Sequence, residues 1–414
     1  MLSKMKKIIN TSDKDFDSQF NELLNIDRNI TDNVEEVVRS IVQDVKSKGD
    51  SSLVEYTNKF DKNSLSANEM LVSEEEIDNL VKDLPTKLVK AIDLAYSRIE
   101  SYHKKQIPSD LSYEDEIGAK LGYVWNPISS VGIYVPGGTA SYPSTVLMNA
   151  IPAKVAGVQD ITMVSPSTES KINPSILYAA KKVGINRIYR IGGAQAISAL
   201  AFGTETIKPV DKIVGPGNIY VSEAKRQVFG DVGIDMFAGP SEIVIIADND
   251  NDPGIIASDL IAQAEHDISA QSILITNNKS LAEKVLNDIK NQISSLPRKD
   301  IASQSWNNNG AIIITSGIEE SITLANRLSP EHLELSVENA RTYLKKIKNA
   351  GAVFIGKNTP EAVGDYIAGP SHVLPTSRSA RFSSGLSVND FIKKTSVIEC
   401  SEESLNEIGR SAVE

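Results

Sequence analysis

The sequence predicts an α/β protein built from doubly wound units, and three observations support this prediction. Short apolar segments of strand type alternate with helical segments over residues 131–355, as in a parallel sheet whose faces are covered by helices. Three of these segments run directly into Gly-rich turns, which begin at Pro136, Gly192 and Gly215. A chain of 414 residues also exceeds the usual size of one hydrophobic core. We therefore expect two or more domains.

The first series of alternating segments lies within residues 131–240. Its expected strands cover 131–135, 160–164, 187–191 and 211–214. Gly-rich turns after such strands let the backbone approach a phosphate, and the N-termini of helices attract one. The dinucleotide fingerprint G-x-G-x-x-G is missing from this region. The spacing alone therefore permits a nucleotide without specifying one.

A second series follows within residues 241–385. Its expected strands cover 241–247, 272–276, 311–315, 333–337 and 352–355. One helix is expected to begin at Pro253 and another to end before Pro330, because proline suits a first helical turn and disfavours helix in the residue before it. Two α/β units that join near residue 240 would leave a cleft between them, which is a favoured place for a binding site.

The domain boundaries follow from the change of pattern along the chain. Charged helical patterns precede residue 131, with helices expected over 14–26, 33–48 and 73–105, and few apolar residues follow position 386. The predicted organisation is an N-terminal arm or helix (1–26), a first α/β domain (27–130 plus 241–385), a second Rossmann-like α/β domain (131–240) and a C-terminal arm (386–414).

Composition excludes several classes of protein. The net charge of −11 and the pI near 5.1 argue against a nucleic-acid or anionic-membrane partner. The single cysteine, Cys400, excludes an intramolecular disulfide framework and a metal site of several thiolates. The first residues lack the apolar core of a signal peptide, and no segment reaches the ~18 apolar residues of a membrane helix. We therefore expect a cytoplasmic protein.

Glu331 and His332 stand where a helix gives way to a strand. The helical segment 318–328 ends before Pro330, and the residues after it alternate between apolar and polar, as in a strand with one buried face. A carboxylate beside an imidazole offers two groups that can move protons near neutral pH. The dipeptide is equally compatible with two polar residues in a surface loop.

A second group of polar residues could bind a metal. Gln263 and His266 are three residues apart and share one face of a helix, and Asp365 and His372 lie in a Gly/Pro-rich loop. Imidazole, carboxylate and amide oxygen together can hold Zn²⁺. A histidine at the end of a helix can instead be a cap or a satisfied polar residue. The remaining histidine, His103, ends a charged helical segment and is expected to face solvent.

Several motifs accompany these residues over roughly residues 35–390. They are Lys48-Gly49-Asp50 with Glu55-Tyr-Thr-Asn-Lys-Phe-Asp61, Val131-Gly-Ile-Tyr-Val-Pro-Gly-Gly138, Ile191-Gly-Gly-Ala-Gln-Ala-Ile197, Val214-Gly-Pro-Gly-Asn218, Ala238-Gly-Pro-Ser-Glu242, Gln263-Ala-Glu-His266, Ser329-Pro-Glu-His-Leu-Glu334, and Gly364-Asp-Tyr366 with Ser371-His-Val-Leu-Pro375. In content and order, these motifs together resemble the histidinol dehydrogenase family.

The resemblance implies a fold, a reaction and two cofactors. The fold is two incomplete Rossmann-like units with a helical N-terminal region and extended terminal arms, in a homodimer. The reaction is the Zn²⁺- and NAD-dependent four-electron oxidation of L-histidinol to L-histidine through histidinaldehyde, the last two steps of histidine biosynthesis. The matching positions are Gln263, His266 and Asp365 for the metal, Glu331 and His332 for proton transfer, Tyr134, Gln195 and Asn218 for NAD, and Ser241, Gln263, His266, His332, Asp365 and His372 for the substrate.

One departure from the family pattern is expected at the C-terminus. The family continues into a segment that carries a substrate-binding glutamate and a histidine that is the fourth zinc ligand, whereas here no histidine follows His372. We therefore expect the chain to lack this segment and to bind zinc weakly. Two alternatives stay open: a family member that oxidises another alcohol, and a non-catalytic protein with a degraded site. A zinc hydrolase would leave the paired Gly-rich turns unexplained.

Overall fold

The computed structural model of the protein describes residues 7–26, 33–61, 64–137, 142–167, 171–185, 187–237 and 239–414. Two positions of the motifs quoted above, Gly138 and Ala238, lie outside the described residues, as does the start of the predicted N-terminal arm. The strands are β1 (Ile8–Asn10), β2 (Leu111–Glu114), β3 (Lys120–Pro127), β4 (Ser130–Tyr134), β5 (Asp160–Val164), β6 (Arg187–Tyr189), β7 (Lys212–Val214), β8 (Gly233–Ile234), β9 (Glu242–Ala247), β10 (Gln271–Thr276), β11 (Ala311–Ile314), β12 (His332–Ser336), β13 (Ala352–Ile355) and β14 (Ile392–Glu399).

Helices connect and cover these strands. They are α1 (Phe16–Leu24), α2 (Val34–Lys48), α3 (Asp50–Asp61), α4 (Glu74–Val81), α5 (Thr86–His103), α6 (Pro143–Ala156), α7 (Pro174–Val183), α8 (Gly193–Phe202), α9 (Ile219–Val228), α10 (Pro253–Ala264), α11 (Lys279–Ile293), α12 (Lys299–Asn309), α13 (Ile318–Leu328), α14 (Glu361–Val363) and α15 (Glu402–Val413). Within the described ranges, none of the helices combines the length and apolar character that crossing a membrane requires.

The first compact unit contains the described residues within Met1–Gln43, Pro216–Gln227 and Met236–Gly385. Its strands form a parallel sheet in the order β1-β11-β10-β9-β12-β13. From β9 the chain moves outward through β10 and β11, and it then returns to place β12 on the other side of β9. The direction of winding therefore switches between β9 and β12, which is where such sheets open a crevice.

Alternate residues of β9 enter two separate apolar cores, one on each face of this sheet. Val244 and Ile246 join a cluster that includes residues of α1 and α13. Ile243 and Ile245 join a cluster that includes residues of α10, α11 and α12. Because both faces are covered, β9 and its neighbours are buried throughout. Each fully buried isoleucine or valine stabilises the fold by about 1.5–3 kcal/mol.

The second compact unit contains the described residues within Asp44–Gly215, Val228–Asp235 and Leu386–Glu414. Its parallel sheet has the order β6-β5-β4-β7-β8, so its winding switches between β4 and β7. A separate antiparallel sheet has the order β14-β3-β2. The predicted class, an α/β protein with two doubly wound units, is confirmed.

The helix boundaries of these units have local causes in the sequence. Pro143, Pro174 and Pro253 each begin a helix, at a position where a missing backbone N–H has no cost. α6 and α7 end at Gly157 and Gly184, both in the left-handed conformation that favours glycine after a helix.

The compact units divide the chain differently from the predicted domains. Residues 44–130, which the sequence placed with 241–385, cluster with the second unit. The reason is packing, because α3 lies against α8 and α5 lies against α6 and α7. Helical patterns in sequence show that a face is buried without showing which neighbour covers it.

The predicted C-terminal arm over 386–414 contains regular structure. β14 pairs with β3 from Ile392 opposite Pro127 to Glu399 opposite Lys120, and α15 follows it. Seven consecutive residues of β14 are exposed, so the strand lacks the alternation of buried and exposed positions by which strands are recognised in a sequence.

The expectation that His103 faces solvent is wrong. The side chain is fully buried at the end of α5, and its Nδ1 donates to the carbonyl of Ile99 at 2.8 Å. Burial lowers the pKa of the imidazole. Its position at the end of a charged helix misled the prediction because the lysines that follow it point to solvent while the histidine faces the interior.

Gly215 allows two backbones of the second unit to touch. Its φ is +111°, and a Cβ there would lie 2.1 Å from the carbonyl oxygen of Tyr134. Gly230 has nearly the same φ, +110°, with no atom within 4 Å of such a Cβ. Alanine at Gly230 is therefore a matched control, which measures the free-energy cost of the backbone conformation without a steric clash.

We expect Gly230→Ala to lower the free energy of unfolding by about 1–2 kcal/mol, because an L-residue is strained at positive φ. Gly215→Ala should cost about 3 kcal/mol or more, since the end of β4 must also move. Urea denaturation of both variants measures the difference. Equal losses would show that the Tyr134 carbonyl moves aside freely.

Candidate active site

Glu331 and His332 are held at the start of β12. The backbone of Ser329 adopts a left-handed conformation after α13 (φ +48°), and Pro330 then leads directly into the strand. Both side chains are buried, with 7% of Glu331 and 3% of His332 exposed. The alternative of a surface loop is therefore wrong. Two buried polar side chains require partners, because an unpaired polar group inside a protein is costly.

The neighbouring strand β9 supplies these partners through a single residue. The backbone N–H of Glu242 donates to Oε2 of Glu331 at 2.9 Å, and the Nδ1–H of His332 donates to the backbone carbonyl of Glu242 at 3.0 Å. The second hydrogen bond keeps a proton on Nδ1. Nε2 is consequently the ring atom of His332 that can take up or release a proton.

Nε2 of His332 faces two carboxyl groups from the segment after β13. It lies 3.3 Å from Oδ1 of Asp365 and 3.8 Å from Oε1 of Glu361. Glu361 begins α14, and Asp365 belongs to the π-helical turn Gly364–Ala368 that follows. One ligand atom from each of the three side chains lies within 4.8 Å of the others, which is close enough to share a metal ion.

Burial and mutual proximity shift the pKa of every group in this cluster. Burial raises the pKa of Glu331 to about 7. Burial alone would lower the pKa of His332, but Glu331 and Asp365 outweigh it and raise the pKa to about 10. Burial and the neighbouring Asp365 raise the pKa of Glu361 to about 9, whereas the His332 imidazole holds the pKa of Asp365 below its usual range despite burial. The directions of these pKa shifts favour an ion pair between His332 and Asp365 and a protonated Glu361.

The residues predicted as metal ligands lie in this same compact unit. Gln263 is buried near the end of α10, and neither amide atom has a hydrogen-bond partner. An amide buried without a partner costs roughly 1–3 kcal/mol, which a ligand can offset. His266 follows α10 and is exposed. Desolvation by the surrounding protein still lowers the pKa of its imidazole, and Asp365 is the nearby charge that opposes this effect most.

The donor chemistry of these residues fits a metal such as zinc. Gln263, His266 and Asp365 offer an amide oxygen, an imidazole nitrogen and a carboxylate oxygen, which are ligand types that Zn²⁺ accepts. The lowered pKa of His266 keeps its imidazole neutral, as a metal ligand must be. The orphaned amide of Gln263 is the observation that makes the fit specific.

The other residues predicted to contact the substrate also belong to this unit. The Nδ1–H of His372 donates to the backbone carbonyl of Asp365 at 2.8 Å. Burial lowers the pKa of His372, and Asp365, His332 and His266 are the charged neighbours that act on it. Ser241 immediately precedes β9, and its carbonyl accepts the backbone N–H of Gln271 at 2.9 Å.

The residues predicted to contact NAD do not fall into one unit. Tyr134 ends β4 and Gln195 lies in the first turn of α8, both in the second unit. The hydroxyl of Tyr134 accepts the backbone N–H of Gly193 at 3.1 Å. Asn218 belongs to the first unit, where its side chain accepts the N–H groups of Tyr220 and Val221 at the start of α9. The side chain of Asn218 thus serves as a helix cap.

The cluster around His332 lies at the amino ends of the strands. Doubly wound sheets usually bind their ligands at the carboxyl ends of the strands. A cavity of about 280 Å³ does lie at the carboxyl ends of β9 and β12, but none of the predicted site residues lines it. The first unit therefore places its polar cluster on the opposite edge.

Glu361 is the member of the cluster that sequence reasoning missed. It is 3% exposed, and its Oε1 has no hydrogen-bond partner. Its backbone N–H donates to Oε1 of Glu334 at 2.9 Å. A signal was available, because Glu361 precedes Asp365 by four residues and residues at this spacing share a helix face.

Fold and site together define an α/β protein with a buried group of ionisable residues that can move protons and bind a metal. Comparison with known proteins gives the family. A family model described as histidinol dehydrogenase matches residues 25–414. The chain is 52% identical to histidinol dehydrogenase 1 of Trichormus variabilis over 98% of its own length and 94% of that protein's. It is 51% identical to the histidinol dehydrogenase of Brucella abortus, over 99% and 95%.

A solved structure agrees with these relatives. The crystal structure of histidinol dehydrogenase from Elizabethkingia anophelis matches with a TM-score of 0.93 and 39% identity, and covers 99% of this chain and 94% of that one. The chain belongs to the histidinol dehydrogenase family.

The expectation that the chain lacks the family's C-terminal segment is not supported. The family match runs to residue 414, and the chain covers 94% and 95% of the two relatives. Residues 392–413 are also integrated into the second unit through β14 and α15. The weak zinc binding that was expected together with it stays a prediction.

Proposed function

We propose that this protein oxidises L-histidinol to L-histidine through histidinaldehyde, with NAD as oxidant and Zn²⁺ in the site. The observation that carries the proposal is the placement of His332. Its Nδ1 is fixed on β9 while its Nε2 faces Asp365, in a chain of the histidinol dehydrogenase family. The intact, buried cluster argues against the alternative of a non-catalytic protein with a degraded site.

We assign His332 the role of accepting the proton of the substrate alcohol. Oxidation of an alcohol removes a hydride from carbon and a proton from oxygen, and a positioned imidazole can accept that proton. NAD, when bound, accepts the hydride. Because Nδ1 already donates to the Glu242 carbonyl, the proton must arrive at Nε2. The hydrogen bond to β9 therefore fixes both the orientation and the tautomer of the base.

Glu331 is assigned the activation of water. The intermediate aldehyde must be hydrated before a second hydride can leave, and a carboxylate near its pKa can take a proton from the attacking water. Burial raises the pKa of Glu331 to about 7, which is close to the ideal value for a general base at neutral pH. The N–H of Glu242 holds its Oε2 and leaves Oε1 for the water.

Gln263, His266 and Asp365 are the residues proposed to hold zinc. Zinc bound by these side chains would anchor the imidazole and amine of the substrate, and its charge would offset the carboxylates that raise the pKa of His332. His372 and Ser241 are assigned to substrate contacts. Tyr134, Gln195 and Asn218 are assigned to NAD.

We also propose that the protein is a homodimer that uses the antiparallel sheet of the second unit. Registered partners on this sheet share one face, and Tyr113, Leu121 and Ile398 form such a row across β2, β3 and β14. Tyr113 is 50% exposed and Ile398 is 73% exposed. Leu405 and Ile408 add an exposed apolar stripe on α15. Exposed apolar residues of this kind favour association with a second copy of the chain.

Metal removal tests the proposed zinc site. After treatment with a chelator, NADH formation from L-histidinol should cease, and added Zn²⁺ should restore it. Asp365→Asn should retain at least about tenfold less zinc, measured by mass spectrometry of the dialysed protein, because a charged ligand is lost. Asp267→Asn, an exposed aspartate beside His266, is the control. Full zinc content in Asp365→Asn would remove this residue from the ligand set.

Single-turnover kinetics test the roles of the proton-transfer pair. Glu331→Gln should slow oxidation from the aldehyde by about 10²-fold or more while affecting oxidation from the alcohol less, because only hydration needs the carboxylate. His332→Asn should slow both reactions. Equal losses from the two starting compounds in Glu331→Gln would refute the assignment of Glu331 to water.

Sedimentation velocity tests the dimer. Ile398→Asp should shift the protein toward monomer, because a charge in an apolar interface is costly to desolvate. Val397→Asp is the matched control, because Val397 is 45% exposed on the other face of the same strand. Dissociation by both variants, or by neither, would argue against this face as the interface.

A further inference from the structure

Asp61 is a partly buried carboxylate that the proposed roles leave unused. It is the last residue of α3, and its Oδ2 is buried without a hydrogen-bond partner. Burial raises the pKa of Asp61 to about 6, so the group is mostly ionised at neutral pH. An ionised carboxylate oxygen that is removed from water and left unpaired destabilises the fold. Such a group is commonly retained because a ligand uses it.

The packing of α3 places Asp61 beside the start of α8. The two helices lie against each other. At the beginning of α3, the backbone N–H of Asp50 donates to the carboxylate of Glu205 at 2.7 Å. The carboxylate of Asp50 accepts from the hydroxyl of Thr206 at 2.9 Å. Both partners follow the end of α8, so the helices are antiparallel. The end of α3 therefore lies level with the beginning of α8.

The electrostatic environment of Tyr134 agrees with this placement. Burial raises the pKa of Tyr134 to about 12, and Asp61 is the charged group that adds to this increase. The hydroxyl of Tyr134 in turn accepts the N–H of Gly193, the first residue of α8. Asp61, Tyr134 and Gly193 thus occupy one neighbourhood at the carboxyl end of β4.

Two further features show that this neighbourhood is prepared for a ligand. Gln195, in the first turn of α8, is 1% exposed, and neither atom of its amide has a hydrogen-bond partner. The winding of the sheet also switches between β4 and β7, beside which Tyr134 lies, and crevices at such switch points bind nucleotides. Buried polar atoms without hydrogen-bond partners, Oδ2 of Asp61 and the amide of Gln195, therefore lie on two different helices at the expected crevice.

We propose that Asp61 binds the vicinal hydroxyls of an NAD ribose and thereby excludes the 2′-phosphate of NADP. A carboxylate can accept hydrogen bonds from both hydroxyls of a ribose. The same negative charge repels a phosphate ester at the 2′ position. In the usual dinucleotide fold an acidic residue after the Gly-rich turn has this role. Here the acidic residue is supplied by a helix outside the parallel sheet.

This inference rests on the proposed NAD-dependent function, and nucleotide binding can test it without turnover. Titration calorimetry of the wild-type protein with NAD⁺ and NADP⁺ gives the reference affinities. Asp61→Asn should weaken NAD⁺ binding by about ten- to a hundredfold, as expected for loss of a hydrogen bond to a charged group. It should also reduce the preference for NAD⁺ over NADP⁺ at least about tenfold. Glu55→Gln, an exposed carboxylate on the same helix, should change neither value more than about twofold.

Thermal unfolding of Asp61→Asn separates a binding defect from a folding defect. Removal of a buried charge should leave the midpoint unchanged or raise it, so weaker binding by a variant of undiminished stability supports the proposal. Unchanged NAD⁺ affinity and preference in that variant would overturn the inference and leave the proposed function intact. Failure of the wild-type protein to bind either nucleotide would overturn both.

Discussion

The pairing of β9 with β12 is the constraint on which the candidate active site depends. His332 is registered opposite Ile243, so the peptide groups of Glu242 lie just beyond the paired residues. They are therefore available to bond the side chains of Glu331 and His332. A register shift of one residue would turn His332 to the other face of the sheet. The buried apolar residues on both faces of β9 oppose such a shift, and the hydrophobic core thereby fixes the orientation of the His332 imidazole.

The cluster contains more carboxyl groups than a single imidazole can neutralise. Glu331, Glu361 and Asp365 surround one imidazole in a largely buried space, and three ionised carboxylates there would repel one another. The raised pKa of Glu361 and the protonated His332 relieve this repulsion when the protein is alone. A cation would relieve it in another way and would free His332 to accept a proton. The three carboxyl groups that would repel one another in the protein alone therefore favour the binding of a metal ion, as a metal-dependent oxidation requires.

The two units use opposite edges of their sheets. In the first unit the polar cluster lies at the amino ends of the strands, where Glu242 and His332 begin β9 and β12. In the second unit Tyr134 and the Gly-rich turn before α8 lie at the carboxyl ends. A shared doubly wound topology thus leaves the position of the site undetermined. The side chains at each edge of the sheet decide both the position of the site and its chemistry.

The sequence by itself determined much of the architecture. Buried strands that alternate with helices predict parallel sheets because only helices on both faces can bury such strands completely. Prolines and glycines at the ends of α6, α7 and α10 set their boundaries through local backbone restrictions. The residues proposed for the site were inferred from motifs in fixed order, which resemble a whole family rather than record any local conformation.

Only the tertiary structure decided which of these elements meet. Glu361 lies 29 residues after His332 and Asp61 lies more than a hundred before Gly193 in the sequence, and no periodicity connects them. The strand β14 and the buried His103 were missed for a related reason, since exposure depends on which neighbours pack against an element. Local propensity and pattern record how each segment folds, whereas contacts between distant segments are selected by the packing of the complete core, a property of the whole chain.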